Sequence, residues 1–160
     1  MGLVLAAAVP VVAFVGTGPA AAATPSPQAT GASWTTYDFD PSRTGIDPSG
    51  LQYSVGSPAW TSPHLDGALF GQPLVEGSDA YVATENDTVY SLDVSAGRVV
   101  WSTSLGAPMP GSAVPCGNIG PSGITGTPVI DLTDGVVWVV AFVEPGRHQL
   151  VAVDLTDGRV

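Results

Sequence analysis

The chain has 160 residues, a formal net charge of −10 and 11% charged residues, with 20 glycines and 15 prolines. Arg43, Arg98, Arg147 and Arg159 are its only fixed cations, and this charge excludes nucleic acid and anionic lipid surfaces as partners. Lys, Glu, Arg and Gln are scarce while Val, Thr, Tyr and Trp recur in short runs, which favours an all-β fold.

Residues 1–23 are predicted to be a secretory signal peptide. The apolar run from Leu3 to Val15 is broken by Pro10, and the small-residue tract Ala20 to Ala23 resembles an AxA-type cleavage site. The run is shorter than the roughly 20 residues that span a bilayer, and an uncleaved anchor is the alternative. We therefore expect a secreted or cell-envelope protein with no stable membrane span after leader cleavage.

Residues 24–33 (TPSPQATGAS) are predicted to be a disordered linker, because they combine Pro, Ser, Thr and Gly without an apolar period. Ordered sequence is expected from Trp34, in an irregular aromatic segment packed against a β-scaffold. The remaining chain, 34–160, is predicted to form one β-domain.

An internal repeat divides that domain. The block GQPLV at 71–75 matches GTPVI at 126–130, and LDVSAGRV at 92–99 matches VDLTDGRV at 153–160. Two blocks that recur in one order indicate a duplicated unit, with repeats at about 71–105 and 126–160.

Each repeat contains short apolar runs separated by turn residues. The runs are AYVAT, TVYSLD and RVVWSTSL in the first unit, and VVWVVAF and QLVAVD in the second. Residues 85–87 predict a compact hairpin turn, and 143–148 predict a longer version of it. Trp60 and Trp101 lie about 40 residues apart, the length of a four-stranded blade. The pattern predicts a β-propeller with four-stranded antiparallel blades, of which about two are present.

The second unit is longer than the first in two connections. One insertion, GAPMPGSAVPCGNIGPSGIT at 106–125, lies between strand four and the next strand one, and the other lies between strands two and three. Alternate turns of an up-and-down blade emerge on the same side of the disc. We call this side the elaborated face and expect it to be the binding face.

The first unit resembles the PQQ-like repeat family. Its pattern, close to YVxTxxxxVYxLDxxxGxxxW, begins at Tyr81 and includes Leu92, Asp93, Gly97 and Trp101. The resemblance implies that the indole of one blade docks against the glycine region of its neighbour, which assigns a structural docking role to Trp60, Gly97, Trp101 and Gly158. One large ring per blade would supply much of the apolar contact between blades.

The same resemblance leaves function open, because fold does not decide function. The family includes quinoprotein dehydrogenases, which hold PQQ and calcium, and cofactor-free scaffolds. The dehydrogenases stack PQQ on an adjacent-cysteine disulfide, and this chain has a single cysteine, Cys116. No cofactor is therefore evident from the sequence, and PQQ and calcium are implied only by the resemblance.

Cys116 and Asn118 mark the long insertion as the candidate binding-face loop. Cys116 could serve as a ligand or reactive thiol, but no basic group stands beside it to lower its pKa. The favoured alternative is a loop held by packing or by a disulfide to another segment. Glu85, Asn86 and Asp87 admit a calcium site, but Asn and Asp at that place favour a turn. No catalytic or metal residue is predicted, and His64 and His148 are interpreted as structural or solvated.

Two functions remain. The leading hypothesis is an exported binding or scaffold module for a protein, glycan or small molecule, because no GxSxG, P-loop, HExxH or GxGxxG motif is present. The alternative is a PQQ-dependent alcohol or sugar dehydrogenase. A fragment that does not fold stably alone is the third possibility, because a propeller closes with about four to eight blades.

We expect the chain to be the N-terminal part of a longer propeller. Since Gly97 precedes Trp101 at the blade-docking spacing, the reading frame beyond Val160 should encode a tryptophan at its second position, followed by further repeats. Sequencing the gene past Val160 checks this. A stop codon there would contradict the expectation of a closed ring.

Overall fold

The computed structural model describes residues 33–51 and 56–160. The predicted signal peptide and almost all of the predicted linker lie outside the described residues. The described part of the chain contains seven strands in two antiparallel sheets and one short 3-10 helix, Gly111–Ala113, with no α-helix. Within the same ranges, no helix is long and apolar enough to cross a membrane.

The first sheet has four strands in sequential order: β1 (Leu74–Glu76), β2 (Asp79–Ala83), β3 (Thr88–Asp93) and β4 (Val99–Ser104). The second has three strands in sequential order: β5 (Val129–Asp131), β6 (Val136–Val143) and β7 (Arg147–Asp154). All pairings are antiparallel between sequence neighbours, as expected for up-and-down blades. The predicted all-β class and the four-stranded blade are confirmed.

The prediction of a longer turn at 143–148 is wrong. Val143 pairs directly with Arg147, so only three residues, Glu144 to Gly146, form the turn. The extra residues lengthen the strands instead, since β6 and β7 have 8 residues each while β2 and β3 have 5 and 6. Alternate side chains of β6 stay buried to its end at Val143, and this burial maintains the pairing that the sequence alone did not specify.

The core lies between the two sheets. Tyr81 and Ala83 of β2 face the second sheet, where they join the buried side chains of Val137, Val139 and other residues of β5, β6 and β7. Ala80 and Val82 of β2 point to the opposite side and pack with Leu92. Strand β2 is therefore buried on both faces.

An indole joins one sheet to the next. The Trp101 indole of β4 lies against Gly158, whose φ is +73°, and a Cβ on this glycine would come within 2.6 Å of the ring. The indole N–H of Trp101 donates to the Leu155 carbonyl at 3.0 Å, and Thr103 Oγ1 donates to the Gly158 carbonyl at 2.6 Å. The indole thus occupies space that only glycine leaves open.

The same contact occurs one blade earlier. The Trp60 indole lies against Gly97, whose φ is +68°, and a Cβ there would overlap the ring. Its N–H donates to the Val94 carbonyl at 2.6 Å. Residues 58–62, which contain Trp60, form no strand among the described residues, so their pairing with a further blade stays a prediction.

Tyr81 strengthens the docking of Trp101. Its hydroxyl donates to the Leu155 carbonyl at 3.2 Å, the acceptor that Trp101 also uses, and the two rings lie 6.0 Å apart. Burial, helped by the nearby charges of Asp79 and other carboxylates, raises the pKa of Tyr81 to about 12. The hydroxyl therefore keeps its proton and remains a donor at physiological pH.

The segment after the linker ties the inner edges of the two sheets together. Trp34 exchanges two backbone hydrogen bonds with Val75 of β1, at 2.7 and 3.0 Å. The next carbonyl, of Thr35, accepts the Ile130 N–H of β5 at 2.8 Å. The expected irregular segment thus packs against the free edge of β1 and reaches the neighbouring sheet.

Gly158→Ala should destabilise the protein much more than Gly135→Ala. Both glycines have positive φ, +73° and +68°, but a Cβ at Gly135 meets nothing within 4 Å. Both variants lose about 1–2 kcal/mol to backbone strain, and Gly158→Ala should lose about 1–3 kcal/mol more because the ring of Trp101 must move. Urea unfolding of the full-length protein measures the difference. Equal losses would show that the indole contact contributes nothing.

Candidate functional site

Three connections meet on the elaborated face: the β2–β3 turn (84–87), the insertion loop (106–125) and the β6–β7 turn (144–146). The Ile124 N–H donates to the Thr84 carbonyl at 3.3 Å, which joins the insertion loop to the first turn. The Glu144 N–H donates to the Ala107 carbonyl at 2.9 Å, which joins it to the other turn. The loop therefore spans both sheets.

The insertion loop is held at its base by Met109. This residue forms an antiparallel bridge with Ser122, its side chain is buried, and its N–H also lies 3.1 Å from the Phe142 carbonyl of β6. The residues between, from Pro110 to Pro121, carry the two side chains that the sequence singles out. Cys116 is an exposed free thiol, and Asn118 is exposed as well.

A cavity of about 300 Å³ lies between the insertion loop and the first blade. Its lining residues come from three segments: the stretch before β1 (66–68 and 70), the β2–β3 turn (85–86) and the insertion loop (118–121). Asn118 lines this cavity, whereas Cys116 does not appear among its lining residues. The structure thus brings one of the two predicted loop residues to a concave site.

Asp66 organises the first wall of the cavity. One of its carboxylate oxygens accepts from Thr84 Oγ1 at 2.8 Å, and the other accepts from Thr88 Oγ1 at 2.6 Å. The Asn86 amide donates to the Asp66 carbonyl. These bonds fix the segment before β1 to the β2–β3 turn, so this wall is preformed.

Glu85 anchors the insertion loop, which forms the opposite wall of the cavity. Its side chain is 2% exposed, and its Oε2 accepts from the Gly123 N–H at 2.8 Å and from Thr125 Oγ1 at 3.1 Å. Its other oxygen, Oε1, is buried and has no hydrogen-bond partner. A carboxylate of the first blade thus holds the end of the insertion loop.

Asp87 performs a similar task toward the second blade. It is fully buried, it has φ of +55°, and its Oδ1 accepts from the Phe142 N–H of β6 at 3.2 Å. Its Oδ2 is buried and unpartnered. Burial, with the nearby charge of Glu85, raises the pKa of Asp87 to about 6, although the Phe142 hydrogen bond opposes this shift.

The turn interpretation of 85–87 accounts for the positive φ of Asp87 but not for where the acidic side chains go. Glu85 and Asp87 accept hydrogen bonds from residues between 123 and 142. No local spacing in the sequence relates those residues to this turn. The inward orientation of these two acidic side chains can be recognised only from the packing of the two blades.

His148 stacks on Phe142 with ring centroids 4.2 Å apart but is itself exposed.

The donor set that the quinoprotein resemblance implies is not assembled in this part of the chain. Cys116 is the only cysteine, so it cannot form the adjacent-cysteine disulfide on which PQQ stacks. Within residues 33–51 and 56–160, no cluster of three or more His, Cys, Asp or Glu side chains could hold a metal ion. The described residues therefore do not by themselves supply the donor set that the resemblance implies.

Residues 49–160 match the PQQ-repeat family model that is described as outer membrane protein assembly factor BamB. Among solved structures, the crystal structure of BamB from Moraxella catarrhalis is 20% identical, with a TM-score of 0.45. The match covers 63% of this chain and 26% of that chain, so this chain spans about a quarter of its length. No curated protein matches the chain.

Gly123→Ala should displace the insertion loop. A Cβ on Gly123 would lie 2.5 Å from the Glu85 carbonyl oxygen and 2.8 Å from Asp87 Oδ1, and the nearer of these is rigid backbone. We expect a loss of about 1–3 kcal/mol in the free energy of unfolding and faster protease cleavage within 106–125.

Gly126→Ala is the matched control, because a Cβ there meets nothing within 4 Å and neither glycine has positive φ. Limited proteolysis with mass spectrometry measures the cleavage rate of each variant. The described packing would be contradicted if both variants were cleaved at the wild-type rate.

Proposed function

Because the chain belongs to the PQQ-like repeat family of β-propellers, we propose that it is an exported binding or scaffold module that engages a protein partner through its elaborated face. The observation that carries this proposal is the cavity of about 300 Å³ between the first blade and the insertion loop. Concave sites with preformed walls are the usual places of ligand and partner binding.

The composition of the cavity suits a protein surface. Phe70, which is 57% exposed, and Ile119 supply apolar area, while Asn86 and Asn118 supply amide groups that donate and accept hydrogen bonds. Exposed aromatic side chains beside polar groups are characteristic of interface centres. With a net charge of −10, the chain would associate fastest with a partner whose docking surface is basic.

The placement of the loop supports binding rather than catalysis. Glu85 and Asp87 are the buried acids beneath the elaborated face. Their partnered oxygens accept hydrogen bonds from backbone N–H groups and a hydroxyl of the protein itself. Glu85 therefore holds the insertion loop in position and Asp87 holds β6 beside it, as a preformed binding surface requires. Export is supported by the apolar leader, and the family description, an outer membrane assembly factor, is consistent with a role in the cell envelope.

Asn118→Arg should abolish capture of the partner, whereas Ser95→Arg should not. Both residues are exposed, but Asn118 lines the cavity and Ser95 lies in the β3–β4 connection at the opposite end of the sheet. The two variants add the same charge and bulk on opposite faces. Crosslinking of the full-length protein in its native envelope, followed by mass spectrometry, identifies the partner and measures its yield with each variant.

Equal partner yields with both variants would contradict the assignment of the elaborated face.

Incubation of the full-length protein with PQQ and calcium tests the competing enzyme hypothesis in the same preparation. Bound quinone with reduction of an electron-accepting dye in the presence of an alcohol or sugar would replace the binding proposal with a dehydrogenase.

A further inference from the structure

Charge of a single sign lines the cavity of the elaborated face. Asp66 and Glu85 are among its lining residues, and the described residues that line it include no arginine, lysine or histidine. A concave site whose walls carry one sign of charge concentrates the electric field in its opening. The cavity therefore has a negative potential that its own walls do not offset.

Glu85 is the buried member of these two acids, and its hydrogen bonds are incomplete. The residue is 2% exposed, and its Oε2 accepts from the Gly123 N–H at 2.8 Å and from Thr125 Oγ1 at 3.1 Å. Its Oε1 has no hydrogen-bond partner. A buried carboxylate oxygen without a donor is costly, and more so when it is charged. Glu85 therefore lacks a donor that an occupant of the cavity would supply.

The arginines of the described chain do not neutralise the cavity. Arg98 and Arg159 form ion pairs with acids of their own turns, and Arg43 donates to the segment after the linker. The β6–β7 hairpin carries two charges of opposite sign, Glu144 and Arg147, which are exposed and do not line the cavity. Among the described residues, no ion pair involves either acid of the cavity.

We propose that this cavity receives an arginine side chain of the protein partner, an inference that rests on the proposed function. The guanidinium N–H groups donate to Glu85 Oε1 and to the amide oxygens of Asn86 and Asn118. The planar face of the ion lies against the ring of Phe70. Asp66, whose two carboxylate oxygens already accept from threonine hydroxyls, contributes charge without binding the ion directly. A volume of about 300 Å³ suits one long side chain.

The lining of the cavity favours arginine over lysine and over a metal ion. The polar side chains come from the β2–β3 turn and from the insertion loop, so a planar ion with five N–H donors engages several of them at once, whereas an ammonium group acts as a point charge. Phe70, which is 57% exposed, offers an aromatic face, and arginine is the commoner partner in cation–π contacts. Within residues 33–51 and 56–160, no cluster of acidic, histidine or cysteine side chains could hold a metal ion.

NMR titration of the full-length protein with an arginine peptide tests the pocket without the partner. The probe is a tripeptide with arginine between two glycines, capped at both ends, and the control replaces arginine by citrulline, its neutral isostere. The amide resonances of Asn118 and Gly120 should shift with the arginine peptide and not with the citrulline peptide. Added sodium chloride should weaken the binding, because it screens the charges that attract the guanidinium ion.

Variants of three lining residues separate charge from shape. Asn118→Asp adds a negative charge at nearly the same shape and should tighten binding of the arginine peptide about two- to fivefold. Glu85→Gln should weaken it about tenfold or more, because a charged acceptor is lost. Since Glu85 also anchors the insertion loop, Phe70→Leu is the variant at an exposed position, and it should weaken binding about two- to fivefold.

Three results would overturn the arginine pocket. The arginine and citrulline peptides could shift the same resonances equally, which would show recognition of shape alone. Asn118→Asp could weaken the binding instead of tightening it. Calcium could displace the arginine peptide at an ionic strength at which sodium chloride does not, which would make the cavity a metal site.

The capture of the partner by the Asn118→Arg protein distinguishes failure of the pocket from failure of the proposed function. An arginine peptide that shifts no resonance, together with loss of partner capture by this variant, would overturn the pocket and leave the elaborated face as the binding face. An arginine peptide that binds as stated, together with partner capture at the wild-type level, would contradict the proposed function and assign the pocket to a small cationic ligand.

Discussion

The architecture depends on the docking of an indole against a glycine of the next blade. The Trp101 indole packs against Gly158 because this glycine has no Cβ and a positive φ, and the indole N–H donates to the Leu155 carbonyl. Trp60 makes the same contact with Gly97 and the Val94 carbonyl. The contact fixes the position of one sheet on the next, and it thereby sets which turns meet at the other end.

The acidic turn at 84–87 is a consequence of that alignment. Glu85 and Asp87 belong to the first blade, yet their partners are Gly123, Thr125 and Phe142 of the insertion loop and the second blade. Buried acids without a cationic partner oppose stability, and their concentration on the face that carries the cavity is what a functional site would show. The blade junction is therefore both the structural joint and the base of the candidate site.

The sequence predicted the features that repeat along the chain. The recurrence of GxP and DxxxG blocks with Trp101 specified the strands, the turns and the blade length, because each depends on residues close in sequence. It failed for the β6–β7 hairpin, since burial of Val143 against the docked blade extends the strands and shortens the turn. It also missed Glu85 and Asp87 as anchors, because their partners lie more than 30 residues away.

The central claim, that blade docking builds the elaborated face, is tested most directly by amide hydrogen exchange of the Trp101→Leu protein. The account predicts that protection at Gly123 and Phe142 falls together with protection near Gly158, while amides of β3 within the first sheet stay protected. Protection at Gly123 and Phe142 that stays at the wild-type level when the docking contact is lost would contradict it, because the face would then not depend on the indole.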